Sequence, residues 1–495
     1  MLRIAVALIA LLAALEATAQ QLVMRGDHPD PSVAKIGNTF WASATTSNWM
    51  PAFPLMKSND LRNWQTVGHV FPELPSWADY YFWAPEVSYD NGKVYMYYAA
   101  HKKGGNLCVG IASADKPEGP YKDHGPILCQ EAGSIDAFPM RDENGKLFIV
   151  WKEDGNSVGK PTPMWMQELN EERTAVVGEK QELFRNDAAW EANLVEGVSM
   201  MRHGDYIYAF YAAAGCCGRG CTYQSGIARA KKLAGPWEKY PGNPILVNEG
   251  AWKCPGHGTP VEKDGRFYFL YHAYDSTGMV YTGRQGLLRE FEFTPDKWIR
   301  FKNDATVSSK ISNEEEDNFS GTTLAAEWQW SVMNPVTYSL QSGTLRLNAS
   351  RAKKASFLGR KTLSANYRVL AKVRSSKSTA AAGVALVGDD ENNIAAFIKG
   401  NAVEVVRSKA GKDSILFSQP FAGTKNPWIA MEVTRGNTVS FYVGKKESRL
   451  KKIGTGTIDA SYLPPWDRAL RVGLAVKGAQ GEYGTFDEFE IAPTN

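Results

Sequence analysis

The sequence predicts an all-β fold, a five-bladed β-propeller followed by a β-sandwich of jelly-roll or concanavalin-like form, and three observations carry that reading. One pattern of residue types recurs five times between Gly26 and Phe301, at intervals of about fifty residues. Within each unit the strand-like segment is aromatic and β-branched, with apolar residues at nearly every position, as in sheets covered on both faces. Beyond a polar stretch the strands continue without the repeat, which marks a second domain, and 495 residues exceed what one compact core organises.

Residues 1–19 come first. Arg3 precedes an apolar run from Ile4 to Leu15 and then the small residues Ala17, Thr18 and Ala19, which is the layout of a secretory signal peptide. The run is shorter than the roughly 20 residues that cross a bilayer and no comparable run follows, so no membrane span is expected. No cysteine follows it to take a lipid. The expected product is exported, either periplasmic or secreted.

The propeller is placed at 22–303. Each unit opens with a polar or acidic segment and makes a two-residue turn, at Gly37-Asn38, Asn91-Gly92, Asn144-Gly145, Gly204-Asp205 and Asp264-Gly265. Gly and Asn tolerate the positive φ that tight hairpins require. Each turn leads into an aromatic strand, such as the one that runs from Tyr206 to Tyr211. A second signal, at Leu61-Arg62-Asn63-Trp64, Glu118-Gly119-Pro120-Tyr121 and Ala234-Gly235-Pro236-Trp237, reads as the outer turn of a blade. Units too small to bury their own faces pack radially, about four strands to a blade. Sandwiches repeated in tandem are the alternative, but each would need roughly twice the length.

A linker is expected over 304–316, where Ser308, Ser309 and Lys310 precede Glu314, Glu315 and Glu316. The sandwich occupies 317–495, with alternating strands near 343–347, 384–387, 403–406 and 441–443.

Lys and Arg number 56 against 53 Asp and Glu, and a net charge of +3 offers no field for a polyanion. Nucleic acid is therefore excluded as a partner, and no protein partner is inferred. Aromatic residues make up 12% of the chain, which suits either a β-rich core or a surface that stacks on sugar rings. The six cysteines include Cys108 and Cys129 beside one strand and turn, and Cys216, Cys217, Cys221 and Cys254 within one stretch. The Gly-rich run from Cys216 to Cys221 lacks the ordered pairs and histidines of a zinc site and suits a disulfide in an exported protein.

In a propeller the innermost strand of each blade lines the central channel, so corresponding points of different repeats converge. Three opening segments carry an acid in an apolar or small-residue setting: Asp30 in His-Pro-Asp-Pro-Ser, Asp136 in Gly-Ser-Ile-Asp-Ala-Phe and Glu196 in Leu-Val-Glu-Gly-Val. Each has a plainer reading taken alone. Asp30 between prolines suits a turn, Asp136 suits a turn cap, and Glu191 stands close enough to Glu196 to compete for its role. Together they suit glycosidic bond cleavage, which needs one carboxylic acid to protonate the leaving oxygen and one carboxylate to activate water or attack carbon. Crowded carboxylates also raise the proton affinity of at least one member.

The segment Gly-Asp-His-Pro-Asp-Pro-Ser-Val, the block Phe82-Trp83-Ala84-Pro85-Glu86, Ser134-Ile135-Asp136, Glu196-Gly197 before a Gly-Asp-Tyr strand, and Gly256-His257-Gly258 together resemble glycoside hydrolase family 43. The resemblance spans about Gly26 to Phe301, with one motif at the start of each blade. It implies an inverting mechanism with Asp30 as general base, Glu196 as general acid and Asp136 as the residue that tunes and orients the acid. Val198 stands where the family often has proline after Glu-Gly. His257 resembles the channel histidine that in several members lies beside a bound calcium ion or water, which makes it the candidate neighbour of a structural calcium ion, and no cofactor is required. Its plainer reading is a hydrogen-bonded structural residue. Arg284 resembles the fifth-blade arginine that reaches into the pocket, its alternative being a surface charge. Trp83 and Trp49 are candidates for stacking on sugar, with packing between blades as the alternative. The implied substrates are plant cell-wall polysaccharides and oligosaccharides, with α-L-arabinofuranosidase action first, β-xylosidase second and endo-arabinanase third. A non-catalytic carbohydrate-binding propeller is the competing class, and the three carboxylates argue against it.

Overall fold

The computed structural model describes residues 20–303, 312, 314–350, 354–421 and 425–494. The leader expected over 1–19 lies outside these residues, as does most of the expected linker.

The five repeats fold as antiparallel sheets arranged as a five-bladed propeller. Their innermost strands, Ser32–Ile36, Ala78–Asp90, Ser134–Arg141, Val195–His203 and Trp252–Lys263, neighbour one another in that order around a ring that returns to the first. The aromatic strands lie second in each blade and are covered on both faces; Tyr206–Ala213 is buried at every position after the first. The outer turns repeat one device. Trp64 Nε1 donates to Leu61 O and Trp237 Nε1 to Leu233 O, each at 3.0 Å, and the Tyr121 hydroxyl donates to Pro117 O at 3.0 Å.

Four of the expected two-residue turns join strands directly, and the fifth does not. Between Arg141 and Leu147 the connection is longer because the Asp142 carboxylate accepts the N–H groups of Asn144 at 2.9 Å and Lys146 at 2.8 Å, which widens the loop around its side chain. The fifth blade is sealed from both ends of the domain. Gln21–Met24 pairs with Arg284–Phe293, and Gly286 admits Met24, since a Cβ there would lie 2.7 Å from the Met24 Cβ.

Most of the remaining strands form two antiparallel sheets. One contains Leu345–Asn348, Tyr367–Val373, Trp428–Thr434, Thr438–Gly444 and Tyr483–Pro493; the other contains Ser356–Lys361, Ala381–Val387, Asn393–Lys399 and Arg471–Lys477. Leu347, Val369, Leu386, Met431, Leu474 and Phe486 are buried in their shared core. Glu315–Asp317 pairs with Tyr483–Pro493, so Glu315 and Glu316, read from sequence as linker, belong to a sheet. Their charge misled the reading; Arg360 Nη1 lies 3.0 Å from Glu315 and supports the edge.

The two domains share a seam. Trp330–Ser331 pairs with Trp49–Met50, and Arg471 forms a buried ion pair with Asp27 at 3.3 Å. Asp27 also accepts the N–H groups of Arg284 at 3.3 Å and Ala469 at 3.2 Å.

Candidate active site

Each blade carries at least one residue at positive φ where the chain enters or runs along its innermost strand, among them Asp30 at 50°, Ala84 at 45°, Asp136 at 57°, Gly197 at 63° and His257 at 38°. In four of the blades the pairing register shifts at that point, between Trp83 and Glu86, Ile135 and Phe138, Glu196 and Ser199, and Gly256 and Gly258. A bulge bends its strand and re-aims the side chain, and a ring of them turns successive repeats toward one place. Such backbone costs about 1–3 kcal/mol per non-glycine residue and persists where the surroundings enforce it.

Asp30 Oδ2 accepts the Thr45 hydroxyl at 2.7 Å, while Oδ1 lies 3.1 Å from Arg284 Nη1 and 3.4 Å from His257 Nδ1. Its backbone N–H donates to His272 Nδ1 at 2.9 Å, so that nitrogen carries no proton, and its 3.3 Å approach to Oδ1 is not an ion pair. Burial keeps His272 neutral. Burial also pushes the Asp30 carboxyl up, but Arg284, His257 and the Thr45 hydroxyl outweigh it and hold it at about 2.

Asp136 is the opposite case. Burial, helped by the negative charges of Glu196 and Asp30, pushes it up to about 6 against the pull of His257 and Lys152. Its Oδ2 accepts the N–H of Gly197 at 2.8 Å and so grips the backbone beside Glu196. Glu196 accepts the Tyr223 hydroxyl at 2.8 Å on Oε1 and Lys152 Nζ at 2.6 Å on Oε2. The Lys152 ammonium is 1% exposed and has a second partner in Asp154 at 3.0 Å.

Asp30, Asp136, Glu196, Trp83, His257 and Arg284 line one cavity of about 390 Å³, a size that accepts a sugar ring. Trp83 stacks on Tyr81 with ring centroids 4.3 Å apart and donates from Nε1 to Ser47 Oγ at 3.1 Å. Trp49 is not part of it. That indole is 1% exposed, packs 6.2 Å from the Phe357 ring and lies under the Arg471 guanidinium at the seam, so its reading as a sugar platform is corrected to domain packing.

Several groups in or behind this wall were not anticipated. Lys152 follows the aromatic strand residue Trp151, and a lysine closing a buried strand was a usable signal. Tyr223 and His272 sit behind the carboxylates with no signal of their own. The sandwich contributes Trp466, 56% exposed and edge-on to Trp83 at 5.8 Å, and Asp467, whose backbone oxygen accepts Arg284 Nη2 at 2.9 Å. The Ser47 hydroxyl also donates to the Asp467 carboxylate.

The calcium reading of His257 does not fit these donors. Its Nδ1 faces Asp30, whose oxygens are taken by Thr45 and Arg284, and among the described residues no group of three or more His, Cys, Asp or Glu side chains is arranged to hold a metal ion.

A cavity with one fixed carboxylate, one carboxyl of raised proton affinity and a third acid between a lysine and a tyrosine is equipped for acid–base cleavage of a glycosidic bond. The chain belongs to glycosyl hydrolase family 43, whose family model matches residues 19–299; residues 316–490 match the beta xylosidase C-terminal concanavalin A-like domain. A xylan 1,3-beta-xylosidase from a Vibrio species is 26% identical over 52% of this chain and 49% of its own length. A non-reducing end alpha-L-arabinofuranosidase from Bacteroides ovatus is 25% identical over 80% of this chain and 78% of its own. The crystal structure of the GH43 BlXynB protein from Bacillus licheniformis has the same fold, with a TM-score of 0.82 and 24% identity over 96% of this chain and all of that one.

Proposed function

We propose that this glycoside hydrolase removes terminal pentosyl residues from plant cell-wall polysaccharides or oligosaccharides with inversion at the anomeric carbon. The observation that carries the reading is the contrast between Asp30, held anionic by Arg284, and Glu196, held across the channel on another blade. Asp30 takes a proton from water as that water attacks the anomeric carbon. Glu196 gives its proton to the glycosidic oxygen as the bond breaks, and Asp136 positions it through the Gly197 N–H. Solvent then removes the proton from Asp30 and returns one to Glu196. While Glu196 is protonated, the Lys152 ammonium keeps Asp154 as its partner. The scheme needs room for that water, which inverting glycosidases provide by holding their two carboxyl groups roughly 6.5–9.5 Å apart.

Action at a chain end is supported by Trp466 and Asp467, which reach from the sandwich to Trp83 and Arg284 and narrow the mouth. The same narrowing argues against endo-arabinanase action. An α-L-arabinofuranosyl group is the first reading. A β-xylosyl group is the second, favoured by the match of the C-terminal domain to the one described for beta xylosidases. Export belongs to the same proposal and is supported by three disulfides, which persist in oxidising compartments.

Purified enzyme is offered aryl α-L-arabinofuranosides, β-D-xylosides and galactosides, with product anomers followed by proton NMR. Release of one pentose with inverted configuration is expected. Retention of configuration overturns the assignment of Asp30 as a base acting through water.

A further inference from the structure

Among the described residues every cysteine is bridged, but the bridges differ in kind. Cys108–Cys129 and Cys221–Cys254 span 21 and 33 residues, whereas Cys216–Cys217 joins neighbours. We infer that the Cys216–Cys217 disulfide is a substrate-contacting wall of the active-site cavity, presenting bonded sulfur to the C–H face of the sugar seated beside Glu196. This rests on the hydrolase reading above and adds a binding element to it.

Its position comes from register. Val195 and Glu196 pair with Ala213 and Ala212, so the chain leaves the strand beside the acid and reaches Cys216 three residues later. Both cysteines line the cavity that holds the three carboxylates, and both are half-buried, so the bridge has a face toward that space.

Cross-linking is not what this bond supplies. A disulfide stabilises by the length of chain it closes, and a bond between neighbours closes none. The loop is anchored without it. Cys221 is tied to Cys254, Thr222 N–H donates to Gly215 O at 2.8 Å, and Gly218 N–H donates to the Tyr274 hydroxyl at 3.2 Å. Arg219 reaches across the seam to Ser461 O at 3.0 Å.

The bond does change the chemistry of the wall. Two free thiols would offer S–H donors and independent rotamers. The bridge replaces them with one rigid, polarisable surface that donates nothing. Charged groups of the cavity, namely Asp30, Asp136, Glu196, Lys152 and Arg284, suit the hydroxyl edge of a sugar. Leu194, Ile135, Trp83, Trp466 and the disulfide supply apolar surface for its C–H faces.

The test compares wild type with the double variant Cys216→Ala, Cys217→Ala on the aryl pentoside that wild type hydrolyses best. KM is expected to rise roughly three- to ten-fold while kcat stays within about two-fold, the signature of contacts made equally in ground and transition states. A thermal midpoint near that of wild type is expected, because the anchors of the loop remain. Unchanged KM and kcat in a folded variant overturn the inference. If the variant does not fold, wild type is treated with dithiothreitol, which closes to its cyclic disulfide as Cys216–Cys217 becomes two thiols. Mass mapping of alkylated aliquots must show the other two bridges intact. KM unchanged in that state overturns the inference, and a matching rise supports it. A wild type that hydrolyses no pentoside overturns the functional reading and takes this inference with it.

Discussion

Two aspartates of one residue type, each at positive φ on an equivalent point of its blade, are shifted in opposite directions by their neighbours. Asp136 titrates at about 6 in the folded chain against 3.8 for its ordinary value. Between those values the folded protein holds a proton that the unfolded chain has released, so the stability it contributes is present below 3.8 and lost as pH rises through 6. Asp136→Asn cannot titrate, and its thermal midpoint, measured from pH 4 to 7, is expected to gain on wild type as pH rises. Parallel curves contradict this. Asp30 has the reverse sign: with its folded value near 2, its contribution is present above 3.8 and lost as pH falls. That Asp30, Asp136 and Glu196 meet at one cavity was legible in sequence because repeat position selected them from 53 Asp and Glu. Trp49 was misread because an indole at a domain seam and one in a sugar site share a composition signal, and only the packing against Phe357 separates them.

The bulge in four of the five innermost strands is the element that makes a site out of a repeat. Gly197 shows its tolerance: it sits at φ 63°, and a Cβ there would lie 2.7 Å from His257 Cγ. Gly204, at φ 57° in a hairpin, has nothing within 4 Å of such an atom. Gly204→Ala is therefore expected to cost only the backbone term, about 1–2 kcal/mol of stability with kinetics intact. Gly197→Ala is expected to lose more stability and to lower kcat/KM at least ten-fold, because His257 and the Glu196 backbone are displaced together. Equal effects of the two substitutions, by thermal unfolding and steady-state assay, contradict this. Blade boundaries were legible because turn chemistry punctuates the repeat. The bulges were not, since one extra residue in a strand leaves no mark in an apolar run, and the loop from Arg141 to Leu147 departed from expectation because one Asp side chain organised it.

At the scale of the molecule, the sandwich completes the propeller's mouth through Trp466 and Asp467, a long-range contact that no local pattern encodes. The buried pair of Arg471 and Asp27 ties the domains where Asp27 also holds Arg284. Arg471→Met leaves Asp27 without its buried partner and is expected to cost about 3–5 kcal/mol, read as a lowered thermal midpoint, with weaker substrate binding as Arg284 loosens. Loss of activity without loss of stability contradicts that coupling. The assignment of base and acid is tested most directly by the leaving-group dependence of two variants on a series of aryl pentosides. Glu196→Ala should lose about 10²–10⁴ in kcat/KM on poor leaving groups and little on a dinitrophenolate that departs unprotonated, whereas Asp30→Ala should lose that much on all of them. Equal losses across the series for Glu196→Ala, or an active Asp30→Ala, would contradict the account.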